Sequence, residues 1–181
     1  MHLTKLFAFL AGLALIAAAC GGTGSSSNTA TSQVPPGSTT SAPPVGEPAP
    51  DNTFTTFAGE TVTLASYQGK PVVLNFWASW CPSCVAEMSA AFKPVEEDLG
   101  DEITFLGVNI QDDRTLAESL LAQTGVEWVS AEDPAGDLYV ELGGIAMPFT
   151  VYITSDGRVV EKHNGPLTEG QLREQIAEVF G

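Results

Sequence analysis

Two cysteines, Cys81 and Cys84, lie where the hydrophobic pattern of the chain changes from that of a strand to that of a helix. The preceding residues 71–77 form an almost continuous apolar run, which is typical of a central strand buried on both faces. From Cys84 onward the apolar residues recur at helical spacing: Val85, Met88, Phe92, Val95 and Leu99. The pair is therefore expected at a strand-to-helix junction, and Pro94 predicts a kink or an early end of the helix.

This position favours a reactive thiol at the first cysteine. The start of a helix presents unpaired amide N–H groups and partial positive charge, which stabilise a thiolate over a thiol. Cysteines in such places can have pKa values of about 3.5 to 7.5 instead of about 8.5. Cys81 is expected to be the more exposed, attacking sulfur. Cys84, one turn further in, is expected to attack a mixed disulfide from within, and Pro82 suits the first helical position.

Three other roles for the cysteine pair are weaker. A closed zinc site needs four ligands, but Cys20 is 61 residues from Cys81 and lies before the Ser/Thr/Pro/Gly-rich segment, and only His163 is otherwise available. A disulfide across two intervening residues constrains little chain entropy, so it would be a poor structural staple. The third role, two free thiols that are buried only as part of the core, is disfavoured because neighbouring thiols oxidise outside the cytosol. We therefore expect no metal and no cofactor here.

The rest of the chain alternates strand and helix patterns. Short apolar or alternating runs predict strands at residues 60–64, 71–77, 103–109, 149–153 and 158–161. The last two strands flank a turn signal and predict a hairpin. Leu116, Leu120 and Leu121 mark a second helix, and Thr168 with Gln171 forms a capping box that opens a third. Parallel strands with helical crossovers, followed by a hairpin, predict an α/β layered sheet.

Residues 75–88 read Asn-Phe-Trp-Ala-Ser-Trp-Cys-Pro-Ser-Cys-Val-Ala-Glu-Met and resemble the active-site segment of thioredoxin-fold proteins. They are most similar to the extracytoplasmic TlpA/ResA/DsbE-type branch. The resemblance extends over residues 46–181 and includes segments 106–109 and 147–150. It implies a thioredoxin-like fold, with helices flanking a central mixed sheet, and thiol-disulfide oxidoreductase activity.

The resemblance also assigns roles to residues around the pair. The family has a cis proline facing the disulfide, and Pro148 matches it; the alternative is a trans proline that merely starts a strand. The backbone of Met147 would then be free to pair with an extended substrate peptide near Cys81. Trp80 is expected to cover the cysteines, whereas Trp77 is expected in the core.

Glu87 is the third residue that the resemblance connects with the chemistry. Cytosolic thioredoxins have a buried aspartate where this chain has Asn75, which cannot titrate. The TlpA/ResA-type branch instead has a glutamate three residues after the second cysteine, and Glu87 matches it. Residues three apart share a helix face, so Glu87 is expected to take the proton of Cys84 if burial raises its pKa. The alternative is a solvated glutamate.

The N-terminal residues predict export. Lys5 precedes fourteen uncharged residues, 6–19, which suit a signal peptide and are too short for a membrane span. Cys20 with the two glycines after it resembles a bacterial lipobox, although Ala17 stands where leucine is usual. The expected result is acylation of Cys20, and ordinary cleavage is the alternative.

The next segment predicts a tether. Of the 30 residues 21–50, 22 are Ser, Thr, Pro or Gly, which cannot bury enough apolar surface to fold. We therefore expect a signal peptide at residues 1–19, a lipidated tether at 20–50 and a thioredoxin-like domain at 51–181. The domain carries 6 basic and 21 acidic residues, a net charge of −15, which excludes a nucleic-acid binder.

The predicted function is thiol-disulfide exchange with secreted proteins or peptides at the outer face of a bacterial membrane, where a lipid anchor holds the protein. The pair could oxidise newly secreted proteins, or it could reduce clients such as apocytochrome c with a membrane redox partner. The Cys-Pro-x-Cys pattern resembles secreted DsbE-type oxidases of actinobacteria and slightly favours oxidation.

Two alternative functions are weaker. A copper carrier could bind Cu(I) with the thiolates and Met147, but His163 lacks the motif expected in such carriers. A peroxiredoxin-like thiol peroxidase would need a threonine-and-cysteine loop, which is absent from the sequence.

Overall fold

The structure is a computed structural model that describes residues 46–181. The expected signal peptide, Cys20 and the tether up to residue 45 lie outside the described residues. The strands are β1 (Glu47–Pro48), β2 (Phe54–Thr56), β3 (Thr61–Val62), β4 (Val72–Trp77), β5 (Thr104–Ile110), β6 (Val129–Asp133), β7 (Phe149–Ile153) and β8 (Arg158–Asn164). The helices are α1 (Pro82–Glu87), α2 (Lys93–Leu99), α3 (Arg114–Thr124), α4 (Asp137–Glu141) and α5 (Glu169–Phe180).

The strands form one mixed sheet in the order β1-β8-β7-β4-β5-β6-β2-β3. The pairs β4–β5 and β5–β6 are parallel, and the helical segments between these strands serve as crossovers. The hairpin β7–β8 then adds antiparallel to β4. The predicted α/β sheet, mixed and flanked by helices, is confirmed.

Strand β4 divides the core into two layers because its side chains alternate between the faces of the sheet. Val73 and Trp77 pack with the cysteines and with helices α1, α2 and α5 on one face. Val72, Leu74 and Phe76 pack with α4 and the other strands on the opposite face. Every residue of β4 is buried, as the apolar run predicted, and its one polar side chain lies on the same face as the cysteines.

The helical segment after the cysteines changes its winding near Pro94. A π-helical turn spans Met88–Phe92, between α1 and α2, and the Lys93 N–H donates to the Met88 carbonyl five residues back. Proline lacks the N–H for an α-helical bond and its ring crowds the carbonyl four residues back, so a wider turn accommodates it. The predicted kink is thus a local widening, and the helix does not end there.

Several elements differ from the sequence prediction. The strand expected at residues 60–64 is only β3, because Leu64 already begins a 3-10 turn, Leu64–Tyr67. Strands β2 and β6 and helix α4 were not predicted, since they are short and carry mixed polar residues. The sheet also begins before the domain boundary expected at residue 51. Glu47 pairs with Val159 of β8, a backbone contact that composition does not report.

Among residues 46–181, no helix combines the length and the apolar character needed to cross a membrane.

Candidate active site

The two cysteines form a disulfide at the start of α1. Cys81 is the N-cap of this helix, with extended backbone angles, and Pro82 takes the first helical position. The Sγ of Cys81 accepts a hydrogen bond from the Cys84 N–H at 3.3 Å and lies 3.4 Å from the Ser83 hydroxyl. After reduction, these donors and the helix start would favour a thiolate at Cys81 over a thiol.

Exposure distinguishes the two sulfur-bearing residues. Cys81 retains 5% of its surface, whereas Cys84, on the inner side of α1, is completely buried. A client can therefore approach only Cys81 without moving the helix. This order agrees with the expected division between an attacking and a resolving cysteine, although the roles themselves remain predictions.

The two tryptophans before the pair have different environments. Trp77 is fully buried in the core, as expected. Trp80 is 56% exposed, and its indole N–H donates to the Gln111 carbonyl at 3.1 Å, in the segment that follows β5. This bond fixes a large apolar surface next to Cys81. The coverage of the cysteines by Trp80 stays a prediction.

Asp112 organises the turn that leads from β4 to the cysteines, and nothing in the sequence pattern indicated this. Its carboxylate accepts bonds from the Ser79 N–H at 2.5 Å, the Ser79 hydroxyl at 2.6 Å and the Asn109 amide at 2.9 Å. Burial of the carboxyl opposes ionisation, but these bonds and one from the Asp113 N–H outweigh it and lower the pKa of Asp112. The charged carboxylate thus anchors the backbone two residues before Cys81.

Glu87 is buried, with 4% of its surface exposed, so the alternative of a solvated helix glutamate is wrong. One carboxylate oxygen accepts the Leu167 N–H at 2.7 Å, and the other accepts the Asn75 amide at 3.3 Å. Burial raises the pKa of Glu87 to about 7, although both hydrogen bonds favour the ionised form. The side chain can therefore hold or release a proton near neutral pH, on the helix that carries Cys84.

The pKa of Glu87 predicts a specific pH dependence of stability. Because the folded value lies above the ordinary value of 4.5, the folded protein binds more protons than the unfolded chain between these two pH values. Stability should fall as pH rises through this window, by about 3 kcal/mol in total. We expect Glu87→Gln to remove this loss, so that the variant is more stable than wild type at about pH 8 but not at about pH 4. Denaturant unfolding of the oxidised protein across this range measures it, and parallel curves for the two proteins would contradict it.

Pro148 is buried, and the peptide bond between Met147 and Pro148 is cis, as the family resemblance implied. Met147 packs against the core layer that contains both cysteines. Met147 lies two residues before Phe149, which is the first residue of β7 that pairs with β4 and β8. Its backbone therefore lies just outside the paired part of the sheet.

The loop before Met147 presents an apolar side chain that the sequence analysis missed. Ile145 is 85% exposed, the highest value among the large hydrophobic residues that the structure describes. The Asn164 side-chain oxygen accepts the Ile145 N–H at 3.0 Å and the Ala146 N–H at 3.2 Å, which fixes this loop to the end of β8. A single apolar residue in a loop has no periodic pattern that would predict its exposure. Only the fold shows that Ile145 is exposed and close to Pro148.

Within the described part of the chain, no group of three or more His, Cys, Asp or Glu side chains is arranged to hold a metal ion. His163 lies on β8 opposite Thr150, and its Nδ1 is 3.4 Å from the Gln175 amide. This histidine is thus engaged with α5.

Comparison with known proteins gives a consistent picture. The Redoxin family profile matches residues 44–179. The thiol-disulfide oxidoreductase ResA of Bacillus thuringiensis is 29% identical over 137 residues, which cover 75% of this chain and 78% of ResA. The thiol:disulfide interchange protein DsbE of Escherichia coli is 33% identical over 140 residues, which cover 73% of this chain and 71% of DsbE.

A solved structure extends the comparison to the fold. The secreted Mycobacterium tuberculosis disulfide oxidoreductase homologous to DsbE superposes with a TM-score of 0.64 at 27% identity, covering 71% of this chain and 96% of that one. The family match over residues 44–179 includes the strand-to-helix junction with its disulfide. The chain belongs to the Redoxin family and is a thiol-disulfide oxidoreductase of the ResA and DsbE type with a thioredoxin-like fold.

Proposed function

We propose that this protein is lipid-anchored outside the bacterial cell membrane and exchanges the Cys81–Cys84 disulfide with cysteines of secreted proteins or peptides. The observation that carries the exchange chemistry is the disulfide at the start of α1, where Cys81 retains 5% exposure, Cys84 retains none and Glu87 is buried on the same helix. No cofactor enters the proposal.

In the oxidising direction, a client thiolate attacks the Sγ of Cys81. The Cys81–Cys84 bond breaks, a bond between client and Cys81 forms, and Cys84 leaves as a thiolate that takes a proton from neutral Glu87. A second client thiolate then attacks the client sulfur, which releases Cys81 as a thiolate stabilised by the helix start. The client loses two electrons to form its disulfide, and the protein gains them as a dithiol.

In the reducing direction, the same steps run backwards. The Cys81 thiolate attacks a client disulfide, Cys84 transfers its proton to the Glu87 carboxylate, and the Cys84 thiolate displaces the client from Cys81. A group with a pKa near 7 can serve both directions because neither protonation state dominates at neutral pH. A membrane redox partner would restore the starting state.

The surroundings of Cys81 suit an extended polypeptide client. Met147 offers backbone groups outside the strand ladder, beside the cis Pro148. Trp80 and Ile145 are large exposed apolar side chains, and each is held by hydrogen bonds to a neighbouring segment. These features support a peptide substrate over a small peroxide.

Single-turnover transfer tests the exchange. The oxidised protein is mixed with an unfolded secreted protein that contains two reduced cysteines, and both partners are analysed by alkylation and mass spectrometry. We expect one client disulfide for each dithiol formed at Cys81 and Cys84. The converse mixture, the reduced protein with the same client in its disulfide form, tests the reducing direction. Exchange no faster than with glutathione in both mixtures would contradict the proposal.

The anchor has its own test at Cys20. We expect the mature protein to begin with an acylated Cys20, and we expect Cys20→Ser to move the protein from the membrane fraction to the medium or periplasm, because the tether then ends without a lipid. Mass spectrometry of the N-terminal peptide and cell fractionation measure this. Cys84→Ser serves as the control, since it should leave fractionation unchanged. A mature N-terminus elsewhere, or an unchanged membrane fraction in Cys20→Ser, would contradict lipidation.

A further inference from the structure

Three buried polar side chains meet between β4, β7 and the helical layer. Asn75 and Thr150 are completely buried, and Glu87 is nearly so. The Nδ2 of Asn75 lies 3.3 Å from the Glu87 carboxylate and 3.1 Å from the Thr150 hydroxyl oxygen. The amide oxygen of Asn75 has no hydrogen-bond partner although it is buried. Asn75 thus links Thr150 to Glu87 by hydrogen bonds.

The orientation of this amide follows from the charge of Glu87. An asparagine amide has two N–H donors and one acceptor oxygen, and here both donors are used while the oxygen is unpaired. Leaving a buried oxygen without a donor is unfavourable. Reversing the amide would direct that oxygen at Glu87, where it would repel a carboxylate but could accept a proton from the neutral acid.

The Thr150 hydroxyl holds the Asn75 amide in place beside Glu87. Its oxygen accepts one N–H of Nδ2, and the other N–H of the same nitrogen is directed at the Glu87 carboxylate. We propose that Thr150 is a positioning residue for the exchange reaction: by holding the Asn75 amide with its N–H groups toward Glu87, its hydroxyl stabilises the Glu87 carboxylate. This inference rests on the proposed function only in assuming that the Glu87 proton matters for exchange.

Other titratable groups also face this cluster. Burial raises the pKa of Tyr152 on β7, and the negative charge of the nearby Glu87 raises it further. The Tyr152 hydroxyl therefore stays neutral around pH 7. Its hydroxyl donates to Gln175 of α5 at 2.6 Å, and Gln175 contacts His163 of β8. Arg173 on α5 is paired with Glu169 and Asp98 at the surface.

Two neighbouring side chains need controls in a titration of Glu87. Cys84 on α1 titrates only in the dithiol state, so the oxidised protein removes its contribution. His163 lies on β8 opposite Thr150, and a His163→Gln background removes its imidazole. Measurements on the oxidised protein, with and without His163→Gln, isolate the effect of Thr150 on Glu87.

The test is a carbon-13 NMR titration of the Glu87 carboxyl in the oxidised protein from about pH 4 to about pH 9. We expect Thr150→Val to raise the midpoint by about one pH unit, the size expected when a hydrogen bond to a charged group is weakened. Thr150→Ser keeps the hydroxyl and should keep the wild-type midpoint. Thr56→Val, which changes another buried threonine, in β2, should also leave it unchanged. Equal midpoints in wild type and Thr150→Val, or a shift as large in Thr150→Ser, would overturn the proposal.

Thr150→Ala keeps the proposal testable if Thr150→Val does not fold, because it also removes the hydroxyl and should also raise the Glu87 midpoint. A measurement on wild type tests the contact between Asn75 and Glu87. The nitrogen-15 chemical shift of the Asn75 side-chain amide should change with pH at the same midpoint as the Glu87 carboxyl, because this amide donates to that carboxylate. A nitrogen signal that stays constant through that midpoint would overturn the coupling.

The exchange rate separates this inference from the proposed function. If Thr150→Val shifts the Glu87 midpoint and the pH profile of exchange shifts with it, both are supported. If the Glu87 midpoint shifts while the exchange profile does not, the role of Thr150 stands and the role of Glu87 as the proton carrier fails.

Discussion

Cys84→Ala should accumulate a covalent adduct between Cys81 and a client, and Cys81→Ala should form none. In the first variant the client can still react with the accessible Cys81, but no resolving thiol is present to release it. In the second variant the remaining thiol belongs to a completely buried residue. Turnover of a client disulfide should fall to the uncatalysed rate in both variants.

Non-reducing electrophoresis and mass spectrometry after alkylation detect the adduct. The matched pair of variants is informative because each retains one cysteine of the same disulfide. The double variant, with both cysteines replaced, controls for adducts at other sites. Adducts of equal yield in the two single variants would show that the sulfurs are equally accessible and would contradict their assigned roles.

Glu87→Gln should slow the step in which Cys84 attacks the mixed disulfide, by about a hundredfold at neutral pH, the lower end of what general acid–base catalysis contributes. The glutamine fits the same space but cannot take the Cys84 proton. The wild-type rate should rise with pH through a midpoint near 7, since the carboxylate is the active form in this direction. The rate of the variant should lose that midpoint, and its pH dependence should come only from the ionisation of the Cys84 thiol.

Rapid mixing of the mixed disulfide at a series of pH values measures this step. Glu96→Gln is a suitable control, because Glu96 lies in α2, where burial also raises the pKa of its carboxyl, and its partner is the Glu127 N–H, which lies outside the active site. A Glu87→Gln profile with the wild-type midpoint would show that another group carries the proton.

The strand-to-helix junction could be predicted from sequence because its signals are local. The apolar run of β4, the helical spacing after Cys84 and the capping box at Thr168 each depend on residues within one element. The cysteine spacing then identified the reactive pair, and the family resemblance supplied Glu87 and the cis Pro148. These features account for the architecture and for the position of the disulfide.

The partners of these residues could not be predicted in the same way. Glu87 receives its main hydrogen bond from Leu167, 80 residues later, and Thr150 reaches it across two strands through Asn75. Asp112 acts on Ser79 because parallel pairing brings the ends of β4 and β5 together. No local period or spacing encodes such contacts, so the environment that sets the pKa of Glu87 becomes visible only in the folded chain.

The reduction potential of the Cys81–Cys84 pair is the most direct test of the claim that this disulfide cycles and does not serve as a structural crosslink. The oxidised protein is equilibrated with thiol–disulfide buffers of known potential, and the fraction of dithiol is read from the mass added by alkylation. We expect a two-electron transition between about −120 mV, typical of an oxidant, and about −270 mV, typical of a reductant. A pair that stays oxidised below about −300 mV, as structural disulfides do, would contradict the claim.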